Sequence, residues 1–392
     1  MRTFFFTFLL STFSYNLSFA NSFLHRSNRD ILDSTEKPVQ LRGVNLGGWL
    51  LWEEWIWGGK FHSQTWMMDA LTQMTSKEDA ERFRDSIYLN YISESDIKKI
   101  REANMNVVRV PLNYRIFVGE GQPDPYRNTG WRVLDSLLKW CKKYGVYAML
   151  DLHAAPGGQS NYFIADPETQ KLWKSEEQKK RTIVLWEAIA QRYRNNPAVG
   201  GYDLLNEPIP PSKPELPALY NRIIASIRTA DLNHLIILEG ANFAKDFSMF
   251  TELPTQNMAF SVHFYNWFGG DPVKKMKPYT DLSQRLNVPI WVGEWGENKY
   301  EVLTATRKVF DDPAYHFSGW CFWTWKKVKN GYPALNAIPA TANWTTLMSA
   351  IKSKGKRKAI TKTFALGAMK EFLESVRFNK NVEDAELYGV LK

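Results

Sequence analysis

The chain has 392 residues, of which 44% are hydrophobic and 23% charged, with a formal net charge of +9. That balance excludes a disordered or fibrous chain, and the length suits one large α/β barrel. The basic residues are spread along the chain apart from "KSKGKRK" at 352–358, which reads as a solvated loop before a helix, so nucleic acid is not an expected partner.

The first twenty residues carry one Arg, an apolar run and a small-residue end at Ser18 and Ala20. This is the pattern of a signal peptide cleaved after Ala20, and it predicts a secreted, periplasmic or extracellular protein. The apolar core is too short for a membrane span, and no later segment reads as one. Residues 21–38 are polar and irregular and are expected to be a linker into a single domain over 39–392.

From there short apolar runs alternate with amphipathic stretches. Strands are predicted at 40–46, 106–111, 146–152, 199–205, 234–240, 258–264, 289–295 and 317–325, each bounded by Gly, Pro, Asn or Asp. Between them, "ESDIKKIREAN", "WRVLDSLLKWCKKYG", "RTIVLWEAIAQRYRNNP", "LPALYNRIIASIRTADLNH" and "DLSQRLNVP" keep one apolar face and stop at Gly, Asn or Pro. "TKTFALGAMKEFLESVRF" forms a last helix. Eight strands, each followed by helix, predict a single (β/α)8 barrel of the α/β class. A Trp-rich insertion at 50–93 follows the first strand and is expected to wall a cleft. A doubly wound open sheet lacks its Gly-rich phosphate loop here.

A barrel of this kind carries its chemistry where the strands end. Those ends read Arg109, Asp151 with His153, Asn206 with Glu207, Glu239, His263 with Tyr265, Glu294 and Trp323. Pro208 biases Glu207 toward an extended backbone. Two carboxylates facing each other are what glycosidic cleavage needs, one protonated and one ionised. Aromatic rings, 14% of the chain, provide flat faces for pyranose rings. Trp52, Trp55, Trp57 and Trp66 are candidates, although about half of such residues simply pack. Glu239 is expected to contact substrate or a polar neighbour, and Asp151 to orient the barrel mouth.

The six histidines form no zinc spacing, and neither a phosphate loop nor a serine elbow occurs, so no metal or cofactor is expected. Cys141 and Cys321 read as buried free thiols, and "NWT" at 343–345 is a possible glycosylation acceptor.

In order along the chain, "VVRVP", "DLH", "NEP", "HFY", "GEW" and "FWTW" resemble the strand ends of glycoside hydrolase family 5, over roughly residues 40–375. The resemblance implies a retaining double displacement with Glu207 as acid/base and Glu294 as nucleophile. It implies that Arg109 and Tyr265 stabilise ionised Glu294, and that His263 bonds near Glu207. Asn206 and His153 would bind sugar hydroxyls, Trp323 would floor the same subsite, and unusual backbone is expected at Trp323-Thr324. "RGVNLGGWLLWEEWI" and "DLHAAPGGQS" look like the exo-β-1,3-glucanase branch, where Glu53 would touch the terminal glucose. "HFYNWF" is closer to the cellulase-like pattern, which leaves terminal and internal attack both open. The expected function is a monomeric β-glucan hydrolase. The alternatives are a silent carbohydrate-binding barrel or a transglycosylase using the same two glutamates.

Overall fold

The structure is a computed structural model that describes residues 21–117, 128–169, 171–329 and 331–392. The segment read as a signal peptide lies outside the described residues. Eight parallel strands close into a barrel: β1 (Leu41–Asn45), β2 (Val107–Asn113), β3 (Tyr147–Ala154), β4 (Val199–Asp203), β5 (Leu235–Glu239), β6 (Met258–Phe264), β7 (Ile290–Trp295) and β8 (Phe317–Phe322). Each pairs with its sequence neighbours, and β8 returns to β1 with Cys321 opposite Gly43. All eight predicted strands are present. Their apolar runs are continuous because both faces of a parallel barrel strand are covered, by side chains inside and helices outside.

The helices outside follow the predicted amphipathic stretches. Glu94–Glu102, Asn128–Tyr144, Glu176–Tyr193, Glu215–Ala230, Pro272–Leu286 and Lys362–Ser375 all form. Unit five departs from the pattern. After β5 the chain makes only the turn Ala241–Ala244, in which Asn242, Phe243 and Ala244 have φ of 55°, 61° and 57°. Three successive left-handed residues cannot propagate a right-handed helix.

Two expectations are corrected. Residues 21–38 are not a linker: His25–Ser27 pairs antiparallel with Asp30–Leu32, and Leu24 and Ile31 are buried against Leu41, Val107, Leu235 and Trp291 at the N-terminal end of the barrel. The hairpin plugs the barrel from below, giving this apolar end a cover that the strands alone lack. "KSKGKRK" is not a plain solvated loop either. Lys354–Lys358 is a short helix, and Arg357 is buried, donating to the Ile351 carbonyl and to Gln73 Oε1, each at 3.0 Å.

The insertion folds as Gln64–Met74 and Lys77–Asn90, capped by Ser63 and Ser76, whose hydroxyls accept from Trp66 and Asp79 N–H. Such caps are worth about 1 kcal/mol each. Trp52 and Trp57 are fully buried, 4.4 Å apart between centroids, and belong to the main core, where Trp57 packs on Trp344 and Phe372. Trp66 is exposed and stacks on His62. Of the four candidate tryptophans, only Trp55 reaches the cleft. Cys141 and Cys321 are buried free thiols. Among the described residues, no helix is long and apolar enough to cross a membrane.

Candidate active site

Where the strands end, a buried guanidinium organises the floor. Arg109, on β2, donates from Nε to Asp203 Oδ2 at 2.9 Å. Its Nη1 donates to Glu294 Oε1 at 2.6 Å and Asn45 Oδ1 at 3.2 Å, and its Nη2 to Asn206 Oδ1 and Glu239 Oε1 at 2.9 Å each. Asp151 Oδ2 lies 3.1 Å from Nη2. Every guanidinium N–H therefore has an acceptor, which a fully buried charge requires. Burial would lower the pKa of Arg109, but the four carboxylates raise it well above the usual value. One cation cannot neutralise four anions, and burial raises Asp151 to about 8 and Asp203 well above the carboxylate range.

The fixed charge also determines amide orientation. Arginine has only donors, so the Asn206 oxygen faces it and Asn206 Nδ2 faces His153 Nε2 at 3.2 Å. His153 Nε2 must then accept, and its Nδ1–H donates to Asp151 Oδ2 at 2.7 Å. Burial lowers His153 to about 3, consistent with a neutral ring. With both nitrogens engaged, His153 offers the cleft its ring, stacked 5.5 Å from Trp323.

Glu207 and Glu294 stand across the cleft from each other. Their carboxylates and His263 bring ligand atoms within 4.8 Å of one another. Tyr265 OH donates to Glu294 Oε2 at 2.9 Å, so Glu294 receives one hydrogen bond on each oxygen, one of them from Arg109. His263 contacts Glu207 Oε1 through Nδ1 at 2.8 Å and Glu239 Oε1 through Nε2 at 3.1 Å. Burial disfavours its charged form, but Glu239 and Glu294 more than offset this and raise His263 well above its ordinary pKa. Gly293 permits the arrangement, since a Cβ there would sit 2.2 Å from Ser261 Oγ.

Glu207 does not have the extended backbone expected from Pro208. Its φ is +43°, a left-handed conformation that costs a non-glycine residue about 1–3 kcal/mol. Glu239 holds it there, accepting the Glu207 N–H at 2.6 Å. Glu239 thus bonds Arg109 and the Glu207 backbone and lies 3.1 Å from His263 Nε2, the polar-neighbour role expected of it. Asp203 and Asn45 are floor residues that sequence reasoning missed. A polar residue at the tip of each of those strands was the available signal.

Above this floor lies a cavity of about 570 Å³, within the ordinary range for small-molecule sites. Glu53, His153, Asn206, Glu207, Tyr265, Glu294 and Trp323 all line it, as expected, and the Trp323–Thr324 bond is cis. Arg109 and His263, expected among the substrate-binding residues, lie beneath the cavity and contact the carboxylates of Glu294 and Glu207 that line it. Trp55, Phe61, Trp267, Phe268 and Tyr332 supply aromatic rings to the rim. Trp55 and Phe61 belong to the insertion expected to wall a cleft, whereas Trp267, Phe268 and Tyr332 come from loops whose sequence gave no reason to place them there. Glu53 accepts from Trp55 Nε1 at 2.7 Å through Oε2, while its buried Oε1 has no partner. Burial raises Glu53 to about 8, aided by Glu294 and Glu207 against the Trp55 hydrogen bond. A second cluster of possible metal ligands, Asp151, Asp203 and Glu239, encloses Arg109, whose charge already fills it.

Comparison with known proteins gives the same picture. The profile of the cellulase family (glycosyl hydrolase family 5) matches residues 32–329. A β-xylosidase of Phanerodontia chrysosporium is 29% identical over 375 residues, covering 86% of this chain and 78% of that one. A probable glucan 1,3-β-glucosidase A of Aspergillus clavatus is 26% identical over 273 residues, covering 65% of this chain and 64% of that one. The crystal structure of a β-glucanase from Saccharophagus degradans shares the fold, with a TM-score of 0.56 and 17% identity over 90% of this chain and 94% of that one. With the two opposed glutamates at the ends of β4 and β7 and a profile match spanning all eight strand positions, the chain belongs to glycosyl hydrolase family 5 and is a glycoside hydrolase.

Proposed function

We propose that the protein hydrolyses β-glucosidic bonds in β-glucans or their oligosaccharides with retention of anomeric configuration. The observation that carries this reading is the closeness of Glu207 and Glu294, each of which brings a carboxylate oxygen within 4.8 Å of one on the other across the cleft. Carboxyl groups about 5 Å apart leave no room for a water between sugar and base, so the second carboxylate itself must attack. Inversion would require roughly 6.5–9.5 Å. The relatives named as acting on β-glucan support the substrate class.

The hydrogen bonds divide the labour. Arg109 and Tyr265 stabilise negative charge on Glu294. Glu207, opposite it, is the residue that serves as proton donor and then proton acceptor of the pair. In the first step a Glu294 oxygen bonds to the anomeric carbon, the glycosidic C–O bond breaks, and Glu207 gives its proton to the departing oxygen. In the second, Glu207 takes a proton from water as the water oxygen bonds to that carbon and the Glu294 ester bond breaks. Asn206 Nδ2 has a second hydrogen for a sugar hydroxyl, Trp323 offers a stacking face, and Glu53 lines the same cavity. The leader-like first twenty residues support export before the enzyme meets its substrate.

The test is to incubate the enzyme with an activated 2-deoxy-2-fluoro-β-glucoside and map the labelled peptide by mass spectrometry. A fluoroglucosyl adduct on Glu294 is expected. Hydrolysis of an aryl β-glucoside that first releases the α-anomer, seen by proton NMR, would overturn the reading.

A further inference from the structure

The rim aromatics form one connected arc from Glu53 to Glu294. Glu53 is bonded to Trp55, and Trp55 meets Tyr332 edge-on at 6.0 Å. Tyr332 meets Trp267 at 5.7 Å and 83°. Trp267 lies flat on Tyr265, 4.9 Å apart at 3°, and Tyr265 holds the carboxylate of Glu294. Tyr332 and Trp267 are nearly half exposed, 41% and 45%, so this wall is not held by packing alone.

Behind it stands a lysine outside the catalytic constellation. Lys327 lies in the strand Lys326–Val328, whose backbone is fixed by pairing with Asn336–Ile338. Successive strand side chains point to opposite faces. Lys326 turns one way, to Asp96 at 2.6 Å, and Lys327 turns the other, toward the cleft wall. The Lys327 ammonium sits 5.2 Å from the Trp55 ring centroid and 5.3 Å from that of Tyr332. It is only 1% exposed. A desolvated ammonium near two ring faces is where cation–π attraction is strongest.

We propose that Lys327 is a positioning residue: its charge, held between Trp55 and Tyr332, fixes the aromatic wall against which the sugar binds and, through Trp55, the orientation of Glu53. This rests on the glycosidase reading above but adds a group that touches neither sugar nor catalytic carboxylate. Burial pulls the Lys327 pKa down to about 7, whereas an arginine there stays charged at any assay pH.

The test is a kinetic series at about pH 6, where lysine is charged, on an aryl β-glucoside and on laminari- and cello-oligosaccharides. Lys327→Met should raise KM about five- to tenfold with kcat within about twofold, and Lys327→Arg should keep KM within about twofold of wild type. Tyr332→Ala, at an exposed position, should raise KM similarly, and the double variant should lose no more than either single. Quenching of intrinsic Trp fluorescence by gluco-oligosaccharide reads the same loss without turnover. An unchanged KM in Lys327→Met would overturn the proposal, as would kcat falling in step with KM or an equal loss in Lys327→Arg. Should Lys327→Met not fold, an unchanged KM in Tyr332→Ala refutes it. If the wild type turns over none of these substrates, the functional reading fails instead.

Discussion

The two ends of this barrel are equally buried and chemically opposite. At the N-terminal end, Leu24, Ile31, Leu41, Val107, Leu235 and Trp291 form an apolar cluster closed by the hairpin. At the C-terminal end, Arg109, Asp151, Asp203, Glu239 and His263 are buried at 0–1% exposure. Burying apolar surface stabilises at roughly 25 cal/mol per Å², whereas burying charge is costly unless every group is paired. The lower end therefore holds the barrel together. The upper end spends part of that stability on keeping two carboxylates adjacent, one of them on a left-handed backbone.

Substitutions can break this contrast in order of size. Glu294→Gln should lower kcat by about 10⁴-fold or more while the thermal midpoint stays level or rises, as expected when the attacking group alone is removed. A midpoint that falls with activity would mean the upper end is structural too. Glu207→Gln should cost about 10²–10⁴-fold on oligosaccharides and clearly less on an activated aryl glucoside, whose leaving group needs little proton donation. An equal loss on both would remove Glu207 from the acid role. Arg109→Met removes the one cation shared by four carboxylates and should destabilise by about 3–5 kcal/mol in urea titrations as well as abolish turnover. Ile31→Ala, at the other end, should cost about 2–4 kcal/mol yet leave kcat and KM of the folded protein unchanged. Altered kinetics in that variant would contradict the division between the ends.

The smallest effect sharpens the comparison through pH. Glu53 is raised from 4.5 to about 8, so between those values the unfolded chain has released a proton that the native state retains. Stability contributed at this site therefore declines as pH rises from about 4.5 to 8 and levels off above. The thermal midpoint of Glu53→Gln should accordingly gain on wild type across that window. A constant difference from pH 4.5 to 9 would show that Glu53 is not held protonated.

The strands and their polar tips were legible because each signal is local. An uninterrupted apolar run ending in Asn206-Glu207 or in Glu294 marks both a barrel strand and its functional end. Glu207, Glu294 and five further cavity-lining residues followed from that pattern together with the family resemblance. Arg109 and His263 were identified, but their place below the cavity was not, because depth is set by strand stagger around the whole barrel.

Local letters also misled where a distant contact overrode them. Pro208 favours an extended Glu207, but Glu239, 32 positions away, holds the backbone left-handed. Residues 21–38 are polar enough to read as a linker, but Leu24 and Ile31 find a waiting apolar face. The sequence by itself determined a (β/α)8 barrel with two opposed glutamates, since periodicity and strand ends are written within a few residues. Only the tertiary structure decided that Asp151, Asp203 and Glu239 gather on the guanidinium beside Glu294, what seals the lower end, and how Trp55, Tyr332, Trp267 and Lys327 come together. Those depend on barrel closure, which joins segments hundreds of residues apart that no local pattern relates.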